Sequence, residues 1–278
     1  MKRIKNYILF AIALVISGQV LYSQNEADRK ILVLGSSVAA GWVSSYQEKY
    51  DFKNGYAFRL ERYLAERGFK VINKGIPGDN TSDALKRFDE DVLPEKPDYV
   101  LIGLSMSNEG LETEDPDSVS ISFDKGIKEL IRKCKVNDIY PVLGLCYANN
   151  NFTSRQYEYL KKMNIRMNTF GYPCINFLGA LNDGNGNFPE GTTFDPNHPD
   201  NRGHEEFFLA IEPGLFESID KGKEIPEWIR HDSQTRIGKK SSYEQLYYSP
   251  EGIMHSFSFG FEFLNTKSSK LAEIILFE

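Results

Sequence analysis

The sequence predicts an α/β protein built on a parallel sheet covered on both faces, and two observations carry that expectation. From about residue 30 to residue 218, short apolar runs alternate with longer amphipathic ones, the pattern of successive βαβ units. One of the short runs, residues 99–104, is apolar enough to be a strand buried on both sides.

The elements follow in order. Residues 31–34 read as a first strand ending in Gly35-Ser36-Ser37. Residues 55–67 have helical spacing through Phe58, Leu60, Tyr63 and Leu64, and Gly68 ends that helix. A strand is expected at 71–73, a helix at 82–93 and the buried strand at 99–104. The helix at 118–135 places Phe123, Ile127, Leu130 and Ile131 on one side. A strand at 140–145, a helix at 155–169, a strand at 174–177 and a closing helix at 205–218 complete the series. In such sheets ligands bind at the carboxyl ends of the strands, so the residues just after each strand are those to read for chemistry.

Both ends differ from this middle. Lys2, Arg3 and Lys5 precede an apolar run from Tyr7 to Ile16, with Ser17, Gly18 and Ser23 following. The run is short for a membrane span and has the flanks of a secretory signal, so residues 1–23 are expected to be removed on export; a retained anchor is the alternative. The expected location is secreted, periplasmic or on the cell surface, without stable membrane insertion after cleavage. Residues 24–220 form the expected main domain and 221–240 a charged linker. Residues 241–278 are β-rich: Phe257, Phe259, Phe261 and Phe263 alternate with small or polar residues. They either cover the main domain or begin a larger β-sandwich.

The formal charge of −6 becomes −9 when the three leader cations are removed. A chain this acidic, without a Lys/Arg-rich run, is a poor partner for nucleic acid or an anionic membrane surface. Three cysteines, Cys134, Cys146 and Cys174, are too few for a disulfide scaffold. Cys146 reads as a buried thiol, with a bridge to Cys174 left open. No Cys/His spacing suggests a metal site.

Four segments after strands or before the last helix carry chemistry. Ser37 stands at a strand-to-helix turn, where a hydroxyl faces the crevice; taken alone, it reads first as a helix cap. Gly78, in Gly75-Ile76-Pro77-Gly78-Asp79-Asn80-Thr81, lets backbone N–H approach a ligand, or simply serves a turn. Asn108 offers a side-chain amide, or is a polar turn residue. Asp195-Pro196-Asn197-His198-Pro199 puts a carboxylate three residues before an imidazole in a braced turn, a spacing at which the two can bond and fix a tautomer; a solvated turn with both side chains in water explains the segment equally well. His204 reads as structural, and His231 and His255 as surface residues.

Taken in order, these segments resemble the blocks of the SGNH (GDSL-type) esterase and lipase superfamily. The matches are Gly35, Ser37 and Gly41; Gly78-Asp79 with Thr81; Asn108; and Asp195-x-x-His198-Pro199. The similarity spans roughly residues 30–215. It implies a three-layer α/β/α fold of flavodoxin type, with no cofactor and no metal. It also implies Ser37 as nucleophile, His198 as general base and Asp195 as its orienting carboxylate, with an acyl-enzyme intermediate. The oxyanion donors would be the N–H groups of Ser37 and Gly78 and the amide of Asn108. Two departures stand out: Ser36 replaces the family's Asp before the nucleophile, and Met106-Ser107-Asn108-Glu109 replaces Gly-x-Asn-Asp.

The expected substrate is a short, acetyl-type ester on a small molecule or polysaccharide, with Asn80, Tyr147 and Asn150 as candidate binding residues. The polar segment from Tyr147 to Asn151 motivates it, although an ordinary solvated loop explains that segment equally well. The alternatives are a lipase on longer acyl chains and a carbohydrate-binding protein on a hydrolase fold. An α/β-hydrolase elbow is disfavoured because Gly103-Leu104-Ser105-Met106-Ser107 lacks the final Gly.

Overall fold

The computed structural model describes residues 29–42, 52–211 and 214–222, together with the backbone of 244–245 and 258–259. Five parallel strands form the central sheet: β1 (Arg29–Gly35), β2 (Phe69–Gly75), β3 (Tyr99–Gly103), β4 (Tyr140–Gly144) and β5 (Cys174–Ile175). Their spatial order is β2-β1-β3-β4-β5, the flavodoxin-like order. The alternation of apolar and amphipathic runs is thus realised as a doubly wound sheet. Ile31, Leu32, Val33 and Leu34 of β1 and Val100, Leu101 and Ile102 of β3 are all fully buried.

The helices are α1 (Ser37–Ala40), α2 (Tyr56–Ala65), α3 (Thr81–Asp91), α4 (Pro116–Val136), α5 (Ser154–Met167), α6 (Phe177–Ala180), α7 (Asn201–Leu209) and α8 (Leu215–Asp220). Helix α2 packs against α7, while α3, α4 and α5 pack in succession. Right-handed crossovers put these two groups on opposite faces of the sheet, giving three layers. A fully buried aromatic cluster joins α2, α6 and α7: Tyr56, Phe177 and Phe207 pack as a triangle, with ring centroids 5.1, 4.9 and 6.4 Å apart.

Caps fix the helix starts. Asp115 accepts the N–H of Ser118, Thr153 and Gln156 form a reciprocal capping box, and Asp200 accepts from the N–H groups of Arg202 and Gly203.

Beyond shifts of a residue or two at several element ends, the fold departs from expectation in the following ways. The anticipated helix at 205–218 is two helices: α7 starts earlier, capped by Asp200, and α8 begins beyond Pro213. A proline denies the chain the N–H that continuous helix needs. The strand expected at 174–177 stops at Ile175, because the Asn176 side chain accepts the Gly179 N–H and opens α6. The Asp195–His198 turn is a β-hairpin, β6 (Thr193–Asp195) with β7 (His198–Pro199).

All three cysteines are buried and unbridged. Burial pushes the thiols of Cys134 and Cys146 up to about 12, so they act as small apolar side chains rather than nucleophiles. Near the C-terminus a two-residue antiparallel pairing joins β8 (Glu244–Gln245) to β9 (Ser258–Phe259). The expected leader, most of the linker and the remainder of the β-rich segment lie outside the described residues.

Candidate active site

The site is built where the strand order reverses, between β1 and β3. Gly35 pairs with Gly75 on one side and Gly103 on the other, so three glycines lie abreast at the strand ends. A Cβ on Gly35 would meet the Ala39 Cβ at 2.5 Å, and one on Gly75 would meet the Ala40 N at 2.3 Å. The missing side chains allow α1 to lie directly on the strand ends. That helix begins with Ser37, its backbone closed by Gly41 at φ 88°. The N–H of Ser37, in the first turn, has no intrahelical acceptor.

Gly78 sits in the turn after β2 at φ 92°, a left-handed conformation suited to glycine. The turn is tied to β1 from two directions. Ile76 N–H donates to the Gly35 carbonyl at 3.0 Å. Arg87, on α3, donates to the Asp79 carboxylate at 2.5 Å and to the Gly35 carbonyl at 3.2 Å.

The segment after β3 contributes Asn108, whose amide donates to the Asp79 carbonyl at 3.0 Å. Glu109 next to it accepts the Thr81 N–H at 3.0 Å and the Thr81 hydroxyl at 2.7 Å, and also the Ser122 hydroxyl at 3.1 Å. The longer carboxylate at 109 therefore reaches across to the start of α3. Met106 is fully buried and keeps a negative φ, so this chain needs no glycine there.

His198 and Asp195 face each other across the hairpin. Asp195 Oδ1 accepts the backbone N–H groups of Asn197 (2.8 Å) and His198 (2.9 Å). The same carboxylate lies 2.9 Å from His198 Nδ1 through each of its oxygens. Facing a carboxylate, Nδ1 carries the hydrogen, which leaves Nε2 as an acceptor. Nε2 is 3.0 Å from the Ser37 hydroxyl, across a sequence separation of 161 residues. Ser37 is mostly buried, and the His198 side chain is 18% exposed.

A cavity of about 530 Å³ opens beside this row, lined by Ser37, Gly78, Asn108 and His198 among others. Tyr147 also lines it. Asn80 and Asn150 do not line it. Asn80 caps α3 by accepting the Asp83 N–H at 2.9 Å. The Asn150 side chain accepts the Phe188 N–H at 2.7 Å, and its own N–H donates to the Pro196 carbonyl at 2.9 Å. Both asparagines shape the loops around the site. Trp42 and Glu112 line the cavity without having been singled out in the sequence. Trp42 lies one residue beyond the first block, a signal available in principle; Glu112 lies in an acidic stretch with no local pattern.

His204 is fully buried on α7, and its Nδ1 accepts the Tyr56 N–H at 3.3 Å. Burial pulls its pKa down to about 3, which keeps the ring neutral. It joins two helices, in keeping with a structural role. Among the described residues no group of three or more His, Cys, Asp or Glu side chains is placed to hold a metal.

The chain is similar to known esterases and lipases. The model of the GDSL-like Lipase/Acylhydrolase family matches residues 33–206. The esterase TesA of Pseudomonas aeruginosa is 34% identical over 104 residues, covering 36% of this chain and 48% of that protein. The acetylxylan esterase of Geobacillus stearothermophilus is 39% identical over 49 residues, covering 18% and 22%. The match thus spans about half or less of these relatives' length. The structure of a lipase/acylhydrolase from Enterococcus faecalis superposes with a TM-score of 0.52 at 25% identity, covering 72% of this chain and all of that one. With its matched region running from β1 through the hairpin into α7, the chain belongs to the GDSL-like lipase/acylhydrolase family.

Proposed function

We propose that this protein is a serine esterase acting outside the cytoplasm, which removes short acyl groups, acetyl above all, from a polysaccharide. The observation that carries the chemistry is the continuous row from the Asp195 carboxylate through both nitrogens of His198 to the Ser37 hydroxyl. In this reading His198 Nε2 takes the Ser37 proton as Oγ attacks the ester carbonyl. The imidazolium formed is stabilised by Asp195, which does not itself become protonated. Negative charge on the tetrahedral oxygen is met by the N–H groups of Ser37 and Gly78 and by the Asn108 amide hydrogen not committed to Asp79. His198 then protonates the leaving alcohol, and the same nitrogen later activates water to release the acyl group.

A short acyl group and a hydroxylated acceptor are supported by the polar residues lining the cavity, Ser107, Asn108, Glu112 and Asn197 among them. They are further supported by the partial similarity to an acetylxylan esterase. Residues 24–220 are taken as the unit that carries this activity, and export rests on the basic and apolar pattern of residues 1–23. Among the described residues no helix is long and apolar enough to cross a membrane.

The test is covalent labelling by a fluorophosphonate, together with rates on 4-nitrophenyl acetate and octanoate. Labelling is expected in the wild type and absent in Ser37→Ala, with the acetate preferred. A folded wild type that resists the reagent would remove the esterase reading, and preference for octanoate would replace the glycan ester with a lipid one. Fractionation of expressing cells tests export.

A further inference from the structure

The cavity beside Ser37 holds a carboxylate that the chemistry above does not use. Glu112 lines the same space as Ser37 and His198. Its backbone is pinned: Leu111 is fully buried, and the Gln156 amide donates to the carbonyls of Leu111 (2.7 Å) and Glu112 (3.2 Å). Its side chain is pinned as well. Asn149 Nδ2 donates to one carboxylate oxygen at 2.8 Å, and Asn151 Nδ2 donates to the other at 3.2 Å. Asn149 is itself only 1% exposed, so this anchor does not move with solvent.

A surface glutamate without such partners swings freely into water and carries little specificity. This one is held in place by neutral amides, which fix its position without bringing a cation beside it. Among the described residues no lysine or arginine lines the cavity to offset it. A carboxylate has about four lone-pair positions, so oxygen sites remain for hydroxyl donors of a ligand.

We infer that Glu112 sets the charge preference of the site, selecting neutral, hydroxylated esters and rejecting those that bring a second carboxylate into the cavity. The inference rests on the Ser37 esterase reading and narrows it: the acyl acceptor is a neutral glycan rather than a polyuronate. Like charges in a partly enclosed cavity repel enough to change kcat/KM by about tenfold.

Glu112 also has a bracing role, since Asn151 donates in addition to Asn197 Oδ1 at 2.9 Å, next to His198. Bracing affects every ester by the same factor, whereas a charge filter changes the ratio between esters. That difference is what the experiment reads. The full chain and its Glu112→Gln variant are assayed on 4-nitrophenyl butyrate against 4-nitrophenyl hydrogen succinate, and on phenyl acetate against 4-acetoxybenzoate. Acetate release from acetylated xylan is compared with release from acetylated polygalacturonate. The wild type is expected to prefer the neutral member of each pair. Glu112→Gln is expected to raise the relative kcat/KM of the anionic member about tenfold in at least one small-ester pair. An Asn151→Ala control, which loosens the brace and keeps the charge, should slow both members alike.

Ratios that stay within about twofold of wild type in both small-ester pairs would overturn the inference. If Glu112→Gln does not fold, the wild type still decides: raising salt from ~10 mM to ~500 mM should narrow its preference, and a salt-independent ratio counts against a charge filter. Absence of turnover on every ester, or turnover that survives Ser37→Ala, would instead defeat the esterase reading itself, and the filter with it.

Discussion

Asp195 holds His198 twice, through the backbone N–H at 2.9 Å and through ring Nδ1 at 2.9 Å. The first contact makes the turn and the second sets the tautomer. Asp195→Asn separates them. The asparagine carbonyl still accepts the N–H groups of residues 197 and 198, so the hairpin persists. Its amide, however, presents hydrogens to Nδ1 and drives the ring hydrogen to Nε2, where it cannot accept from Ser37. We predict a loss in kcat of about 10³-fold or more, as expected when a triad tautomer is wrong. The melting temperature should fall by only a few degrees. A kcat within tenfold of wild type would show that Asp195 does no more than shape the turn.

Arg87 gives a second prediction. One guanidinium bonds Asp79, Asp91 and the Gly35 carbonyl, tying the Gly78 turn to the strand that leads to Ser37. The Arg87 and Asp79 side chains are only 13% and 12% exposed, so the pair is shielded from water. Lysine keeps the charge but cannot hold three acceptors in one plane. Arg87→Lys is expected to cost about 1–2 kcal/mol in urea unfolding, and Arg87→Ala about 3 kcal/mol, because the alanine leaves Asp79 unpaired. If Gly78 is an oxyanion donor, kcat should fall in both variants while KM changes little. A KM effect alone would assign the loop to substrate binding.

The Arg87 network also shows what was legible in the sequence. The sheet and most helix positions follow from local periodicity, and the Asp195–His198 contact was foreseeable because both partners lie within one short turn. Ser37 was readable as a candidate through its place after the first strand, although its contact with His198 depends on the whole fold. Apart from Asp91, one helical turn from Arg87, the partners of Arg87, Glu109 and Glu112 come from other segments of the chain, and nothing local in the sequence encodes them. Asn80 and Asn150 illustrate the same limit from the other side. An asparagine amide bonds whatever backbone the fold presents, and here that is the Asp83 and Phe188 N–H groups rather than a ligand.

Glu109 and Asn108 yield a third prediction. Asn108 donates to the Asp79 carbonyl while Glu109 accepts twice from Thr81, so two adjacent side chains clamp the turn after β3 to the start of α3. Asn108→Ala removes a proposed oxyanion donor and should lower kcat by roughly 10²-fold, with little change in KM. Glu109→Ala leaves the buried Thr81 hydroxyl and N–H without their acceptor, and is expected to cost about 1–3 kcal/mol in stability. If kcat survives Asn108→Ala, the amide belongs to the clamp alone. Steady-state kinetics and urea titration on the two variants distinguish these outcomes.

His204 gives a prediction about acid stability. Burial lowers its pKa in the folded protein to about 3, whereas the unfolded chain takes up this proton near the ordinary value of 6.5. Between those two values the unfolded state binds more protons than the folded state, so stability falls as pH falls through the window and is fully present above it. At pH 4.5 the expected loss from this residue is about 2–3 kcal/mol. His204→Gln keeps a side-chain acceptor for the Tyr56 N–H and removes the titration. Urea unfolding of both proteins at pH 7.5 and pH 4.5 isolates the effect, because the carboxylates that also titrate there are common to the two. The wild type should lose about 2–3 kcal/mol more than the variant on acidification. Equal losses would mean that the folded protein accommodates a charged imidazole at this position, and that the α2–α7 contact does not depend on a neutral ring.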